Sequence, residues 1–395
     1  MSYYVTEIDT KGNIAVDDTL LVKDVLSTAG SHILEGFAPL FSAEVVERVQ
    51  KAGYTVSGKA NVGEFGLDLV GEFSNKAATK DGSLVGAAAQ LVAEGSVKAA
   101  LGVDLNGAPR RAAALSKVNF IKPTYGTVSR YDVIPCACSG EQVGVYAANI
   151  ADLKQVLSVI SGHDDKDGTS LQHDSYDYDT DLEVKGTKVC IIKELLSSAD
   201  DSVKASVSAY AEKLRKCGVV VEEVSFDMVN AAQTAWQILM AAETCNNLSR
   251  YDGVKFGYRT PNYNNIDELY VNTRTEGLNF LTKATIIYGS DVLSKGRYND
   301  CYDKSLRVRR LVVEQIKKLL GDFDAILTPV CSKAEYKPYD IAEAFTKVFD
   351  ESRYTAIANL TGIPALVSGG VQLMGSYFDE SLILSLAKCV ERVSE

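Results

Sequence analysis

Short runs of continuous or alternating apolar residues recur along the chain, separated by longer stretches in which apolar positions return every three or four residues. The short runs predict strands at 54–59 (YTVSGK), 97–103 (VKAALGV), 187–192 (TKVCII), 218–226 (GVVVEEVSF), 324–330 (DAILTPV) and 364–370 (PALVSGG). The longer stretches predict helices at 42–53, 150–162 and 200–218, the last two closing on a glycine, which takes the left-handed conformation of a helix stop without strain. From 229 to 320 the pattern is mainly helical, and 306–320 (LRVRRLVVEQIKKLL) is amphipathic with its basic residues on one side. No period of 20 to 50 residues recurs, which excludes solenoids and propellers. Strand and helix in alternation imply an α/β fold whose sheet is mostly parallel and covered by helices.

Two stretches stand apart from this alternation. Residues 100–115 (ALGVDLNGAPRRAAAL) read as a strand end, a tight Asn-Gly turn and an alanine-rich helix start, a layout in which enzymes place a nucleophile. The apex here is Gly107, Ala108 and Pro109, with no reactive atom. Residues 162–186 are acidic and polar with little apolar periodicity, and predict a solvated surface connection. The DDKDG within it lacks the closing glutamate of an EF-hand.

Of the 395 residues, 46% are hydrophobic and 24% charged, which suits a globular chain and argues against disorder. The net charge of −11 disfavours direct attraction to nucleic-acid backbones, so the basic side of 306–320 is expected to face solvent or acidic partners within the chain. No apolar run reaches the length of a membrane span, and the N-terminus lacks a signal-peptide pattern; a cytoplasmic location is expected. Eight scattered cysteines and three histidines, none at ligand spacing, predict reduced thiols and neither metal nor cofactor.

Residues 118–170, containing KPTYGTVSRY and ISGHDDKDGTS, resemble the amidase signature family, most of all the A subunits of glutamyl-tRNA(Gln) amidotransferases. The similarity continues through CNNLSRYDGVKFGYRT (245–260), YGSDVLSKGRYNDCYDKSLRVR (288–309) and ANLTGIPAL (358–366), and upstream through VKDVLSTAGSHILEGFAPL (22–40) and SGKANVGEFG (57–66). It implies one domain over 1–395, an amidase-signature fold with a mixed, largely parallel central sheet and helices on both faces. It also implies that the family's N-terminal helical portion is absent, that the segment between GEFG and GSLVG is shortened, and that B- and C-subunit-like proteins are partners.

The family hydrolyses carboxamides with a Ser, cis-Ser, Lys triad, in which a neutral lysine draws the nucleophile's proton through the second serine. By resemblance the lysine is Lys23, in LLVKDVL; the cis-serine position, in GSLVGAA, is Leu84; and the nucleophile position, in GVDLNGA, is Ala108. The residues themselves leave Lys23 open to a plain pairing with Asp24. Backbone N–H groups of Leu105, Asn106 and Gly107 are the oxyanion-type donors. Glu141 and Gln142 persist from the family's SLDQ stretch as candidate substrate contacts, whereas Thr285 in KATIIYG stands where the A subunits carry a substrate-binding arginine. Cys138 stands where they carry a serine and is a candidate replacement nucleophile, or a packing residue.

Losing the nucleophile of such a triad costs about 10⁶ in rate, roughly 8 kcal/mol of transition-state stabilisation. The expected function is therefore an A-subunit-like protein of tRNA-dependent amidation, of Glu-tRNA(Gln) or Asp-tRNA(Asn), that is non-catalytic and structural. Two alternatives stand beside it: altered chemistry through Lys23 or Cys138, and a small-molecule-binding module in the former pocket.

Overall fold

A computed structural model describes residues 3–71, 86–173, 176–255, 257–334 and 340–394. The strands are β1 (Tyr4–Glu7), β2 (Ile14–Asp17), β3 (Val56–Ala60), β4 (Ala99–Asp104), β5 (Asn119–Lys122), β6 (Gln142–Ala147), β7 (Lys188–Ile192), β8 (Val220–Val224), β9 (Ala325–Thr328), β10 (Ala365–Ser368) and β11 (Val371–Gly375). The α-helices of the first half are α1 (Glu44–Lys51), α2 (Ala87–Ala93), α3 (Ala108–Ser116), α4 (Ile150–Ile160), α5 (Lys193–Ser198) and α6 (Asp201–Lys216). Those of the second are α7 (Val229–Leu248), α8 (Ile266–Gly277), α9 (Phe280–Val292), α10 (Lys304–Asp322), α11 (Ile341–Glu351), α12 (Ala356–Thr361) and α13 (Glu380–Ser394).

All the strands among the described residues join one mixed sheet in the order β1-β3-β2-β4-β6-β5-β10-β11-β9-β7-β8. Parallel pairing holds in β3-β2-β4 and in β9-β7-β8, where helices connect the strands; antiparallel pairs, β5 with β6 and β10 with β11 among them, link the two stretches. Successive residues of β9 point to opposite faces. Ala325 and Leu327 pack in the core that includes Leu157 of α4 and Leu384 of α13, while Ile326 packs with Trp236 and Leu239 of α7. The sheet is thus covered on both sides, as the resemblance implies.

Each predicted strand and helix is present within a few residues of its expected bounds. The strands that the pattern did not reveal are short or broken by glycine. In β6 (QVGVYA) a Cβ on Gly144 would lie 2.2 Å from the Ile121 carbonyl oxygen, so close pairing with β5 requires glycine there. The 162–186 connection is anchored rather than freely solvated. Asp164 accepts the Ser129 hydroxyl at 2.6 Å, Asp167 accepts the Arg130 N–H at 2.8 Å, and Tyr178 and Val184 are buried. The basic side of α10 is largely exposed, as at Arg307, Arg310, Lys317 and Lys318; Arg310 pairs with Glu314 of the same helix and Arg309 donates to the Ser139 carbonyl. Cys217, at the end of α6, is disulfide-bonded to Cys389 of α13, so the expectation that every thiol is reduced does not hold for this pair; packing of α13 against α6 brings together residues 172 positions apart. No described helix is long and apolar enough to cross a membrane.

Candidate functional site

The predicted elbow is a built feature. β4 ends at Asp104, whose carboxylate accepts the Gly107 N–H at 3.1 Å, and α3 begins at Ala108 with proline in its first turn. Gly107 has φ +88°, and a Cβ there would stand 2.3 Å from the Thr355 Cβ, so the turn requires glycine twice over. Asn106 is held from both sides: its side-chain oxygen accepts the Trp236 indole N–H at 3.0 Å, and its carbonyl accepts the Thr355 hydroxyl at 2.9 Å. Below the turn the fully buried Arg110 donates to Asp104 at 2.7 Å, to Gln372 at 2.6 Å and to Asn359. Burial pushes the Asp104 carboxyl up, but the Arg110 charge and hydrogen bonds outweigh it and hold it below the usual range. Of the predicted oxyanion-type donors, Gly107 already spends its N–H on Asp104, while Leu105 and Asn106 are buried in the turn.

A cavity of about 60 Å³ opens beside the elbow, room for a few water molecules. Ala108 lines it together with Asp17, Asn61, Asp68, Arg111 and Tyr146. Among the described residues, no serine, threonine, cysteine, histidine or lysine does so. Asp17 was not foreseen. It ends β2, which runs parallel to β4 with Val16 opposite Leu101, and its Oδ2 accepts the Val103 N–H at 3.1 Å. Burial, opposed by that hydrogen bond, pushes its carboxyl up to about 7.

Lys23 is not at this site. The chain leaves β2 at Asp17 and turns away, so six residues later Lys23 is exposed, its backbone N–H bonded to Ser42 at 3.0 Å. The strand end beside the elbow carries a carboxylate, Asp17. The sheet's buried lysine in this region is Lys59 of β3, which donates to Ser27 at 2.8 Å and has its ammonium lowered to about 8 by burial against the opposing pull of Asp18. Lys59 and Ser27 are fully buried, and neither lines the cavity. Leu84 lies outside the described residues.

The other candidates also sit elsewhere. Glu141 accepts the N–H groups of Cys136 and Ala137 at 3.1 Å each and pairs with Arg130 at 3.3 Å; Gln142 bridges the Gly126 N–H and the Val128 carbonyl at 3.0 Å. Both side chains hold the 123–141 loops together and are absent from the cavity lining. Thr285 is buried on α9 with its hydroxyl bonded to the Leu281 carbonyl at 2.8 Å. Cys138, half-buried outside the cavity, has its thiol pushed up to about 11, first by burial and then by Glu141, which leaves it protonated and unreactive near neutrality. No cluster of metal-ligating side chains occurs among the described residues.

Comparison with known proteins places this geometry. Residues 13–384 match the Amidase family. The chain is 37% identical over 408 residues to the glutamyl-tRNA(Gln) amidotransferase A subunit of Lachnoclostridium phytofermentans, covering 96% of this chain and 82% of that one. It is 32% identical over 397 residues to the corresponding A subunit of Sulfurisphaera tokodaii, covering 96% and 84%. The crystal structure of the Thermotoga maritima A subunit superposes with a TM-score of 0.80 at 28% identity, over 98% of this chain and 85% of that one.

Proposed function

Because the chain belongs to the amidase family, we propose that it is an A-subunit-like protein of a tRNA-dependent amidotransferase that has lost its glutaminase nucleophile and acts as a non-catalytic partner in an amidotransferase-like complex. The observation that carries this reading is the cavity beside the elbow. Its lining offers, among the described residues, neither a hydroxyl nor a thiol at the apex nor a lysine at the strand end; Ala108 and Asp17 occupy those places. A methyl group cannot attack a carboxamide, and with no hydroxyl or thiol at the apex a base at the strand end has no protein nucleophile to activate.

Meanwhile the scaffold is kept. Residues 13–384 match the family, and the buried Asp104–Arg110 pair and the Trp236 clamp hold the turn in place around an apex without a nucleophile. Retention of a whole surface without its chemistry favours a docking role, for which B- and C-subunit-like proteins are the expected partners. Altered chemistry through Lys23 or Cys138 has less support, since one is exposed away from the cavity and the other carries a raised thiol pKa.

Tagged full-length chain, expressed in its native source and purified under mild conditions, tests the proposal. Co-purification of B- and C-subunit-like proteins in fixed ratio is expected. Recovery of the chain alone, folded and without such partners, would overturn the partner assignment.

A further inference from the structure

We infer that the cavity beside the elbow is a binding site for a small monovalent cation carrying N–H donors, of ammonium or methylammonium size, held by the unpartnered carboxylate oxygen of Asp17. The inference concerns a ligand for this cavity and stands whether or not the chain assembles with partner proteins.

Asp17 is only 6% exposed and lines the cavity. Its Oδ2 is bonded to the Val103 N–H, whereas Oδ1 has no hydrogen-bond partner among the described residues. Oδ1 is not among the enclosed side-chain atoms without a partner, so it opens onto the cavity, where a donor from outside can reach it. The other charges are already answered. Asp68 accepts the N–H groups of Val70 and Gly71 at 2.9 Å each. Arg111 donates to the Leu69 carbonyl at 3.3 Å and lies 3.7 Å from Glu351, so the cavity does not present a free cation to an anionic ligand. Tyr146 also lines the same space. Glycine at 102 lets the Tyr146 and Asp17 side chains take their places: a Cβ there would lie 2.7 Å from Tyr146 Cε2 and 3.0 Å from Asp17 Oδ2. A volume of about 60 Å³ suits a small N–H donor.

Binding takes the ionised carboxyl. Asp18 on the same strand end, Lys59 from β3, the Val103 N–H from β4, Tyr146 from β6, and Asp68 and Arg111 across the cavity are the charged or titratable groups and the donor around Asp17. Tyr146 is neutral, since burial raises its hydroxyl well above the ordinary value. With the Asp17 carboxyl at about 7, affinity increases as pH rises through neutrality.

The test is thermal denaturation of the full chain in methylammonium chloride at constant ionic strength, with tetramethylammonium chloride and potassium chloride as matched controls. Methylammonium is expected to raise the melting temperature dose-dependently at pH 8, to require a concentration about tenfold higher at pH 6, and to have no effect on Asp17→Asn. Gly102→Ala, whose Cβ must displace Asp17 Oδ2 or Tyr146, serves as the second variant should Asp17→Asn not fold. An equal shift from tetramethylammonium, a shift retained in the folded variant, or no shift in the unmodified chain would each overturn the inference.

Discussion

Asp104 and Arg110, at the end of β4 and within α3, form a fully buried ion pair across the elbow, with Nε 2.7 Å from Oδ2. Removing one partner of such a pair leaves an uncompensated charge in the interior. Arg110→Ala is therefore expected to cost about 3–5 kcal/mol in chemical denaturation. Arg110→Lys should recover little of it, because one ammonium cannot serve Asp104, Gln372 and Asn359 in the plane of a guanidinium.

Gly107 carries the turn itself. Its φ of +88° and the 2.3 Å approach of a Cβ to Thr355 mean that Gly107→Ala must shift either the α3 start or the Thr355 segment. A loss on the order of 2–4 kcal/mol is expected from denaturant titration. Gly36→Ala, also at positive φ but with nothing within 4 Å of its Cβ, should cost about 1 kcal/mol, from backbone strain alone.

Asp17 gives stability a pH dependence of definite sign. Its carboxyl titrates at about 7 in the folded chain and at 3.8 as the reference for the unfolded one, so between these values the native state binds more protons. The contribution of Asp17 then falls as pH rises across that window and is flat above it. Asp17→Asn should stabilise the chain by on the order of 2 kcal/mol at pH 8, with the gain shrinking as pH approaches 4. Melting temperatures of the two proteins across pH 4–8 check both the sign and the window.

The Cys217–Cys389 bridge closes a long loop, with the two residues 172 apart in sequence. Constraint of the unfolded chain over such a loop is worth about 2–5 kcal/mol. Reductant should lower the melting temperature of the unmodified chain and leave that of Cys217→Ser unchanged. Mass spectrometry of the unreduced chain should find six free thiols rather than eight.

How far these features were legible in the sequence depends on their range. Periodicity placed α4, α6 and α10 because each has one apolar face several turns long, and it placed the elbow because Asn106-Gly107 is a local signal. It missed β2, where four residues end on Asp17-Asp18, a pair that reads as a solvated turn and is in fact buried. Lys23 stands out because a Lys-Asp dipeptide is visible locally, whereas the strand end that faces the elbow is fixed by pairing with β4, some 85 residues on. Glu141 and Gln142 lie outside the cavity lining for a similar reason, since their polar groups satisfy backbone that only the folded loops bring within reach. The disulfide depends on α13 meeting α6, which no spacing reveals.

Release of ammonia from glutamine by the full chain, assayed alone and after addition of B- and C-subunit-like proteins from the same source, addresses the loss of catalysis directly. With Ala108 at the apex and Asp17 at the strand end, the chain alone should release no ammonia above the buffer background, and the mixture should release it only at the rate of the added proteins by themselves. Turnover above that background, abolished by Asp17→Asn or Cys138→Ala, would contradict the reading of this chain as a non-catalytic member of its family.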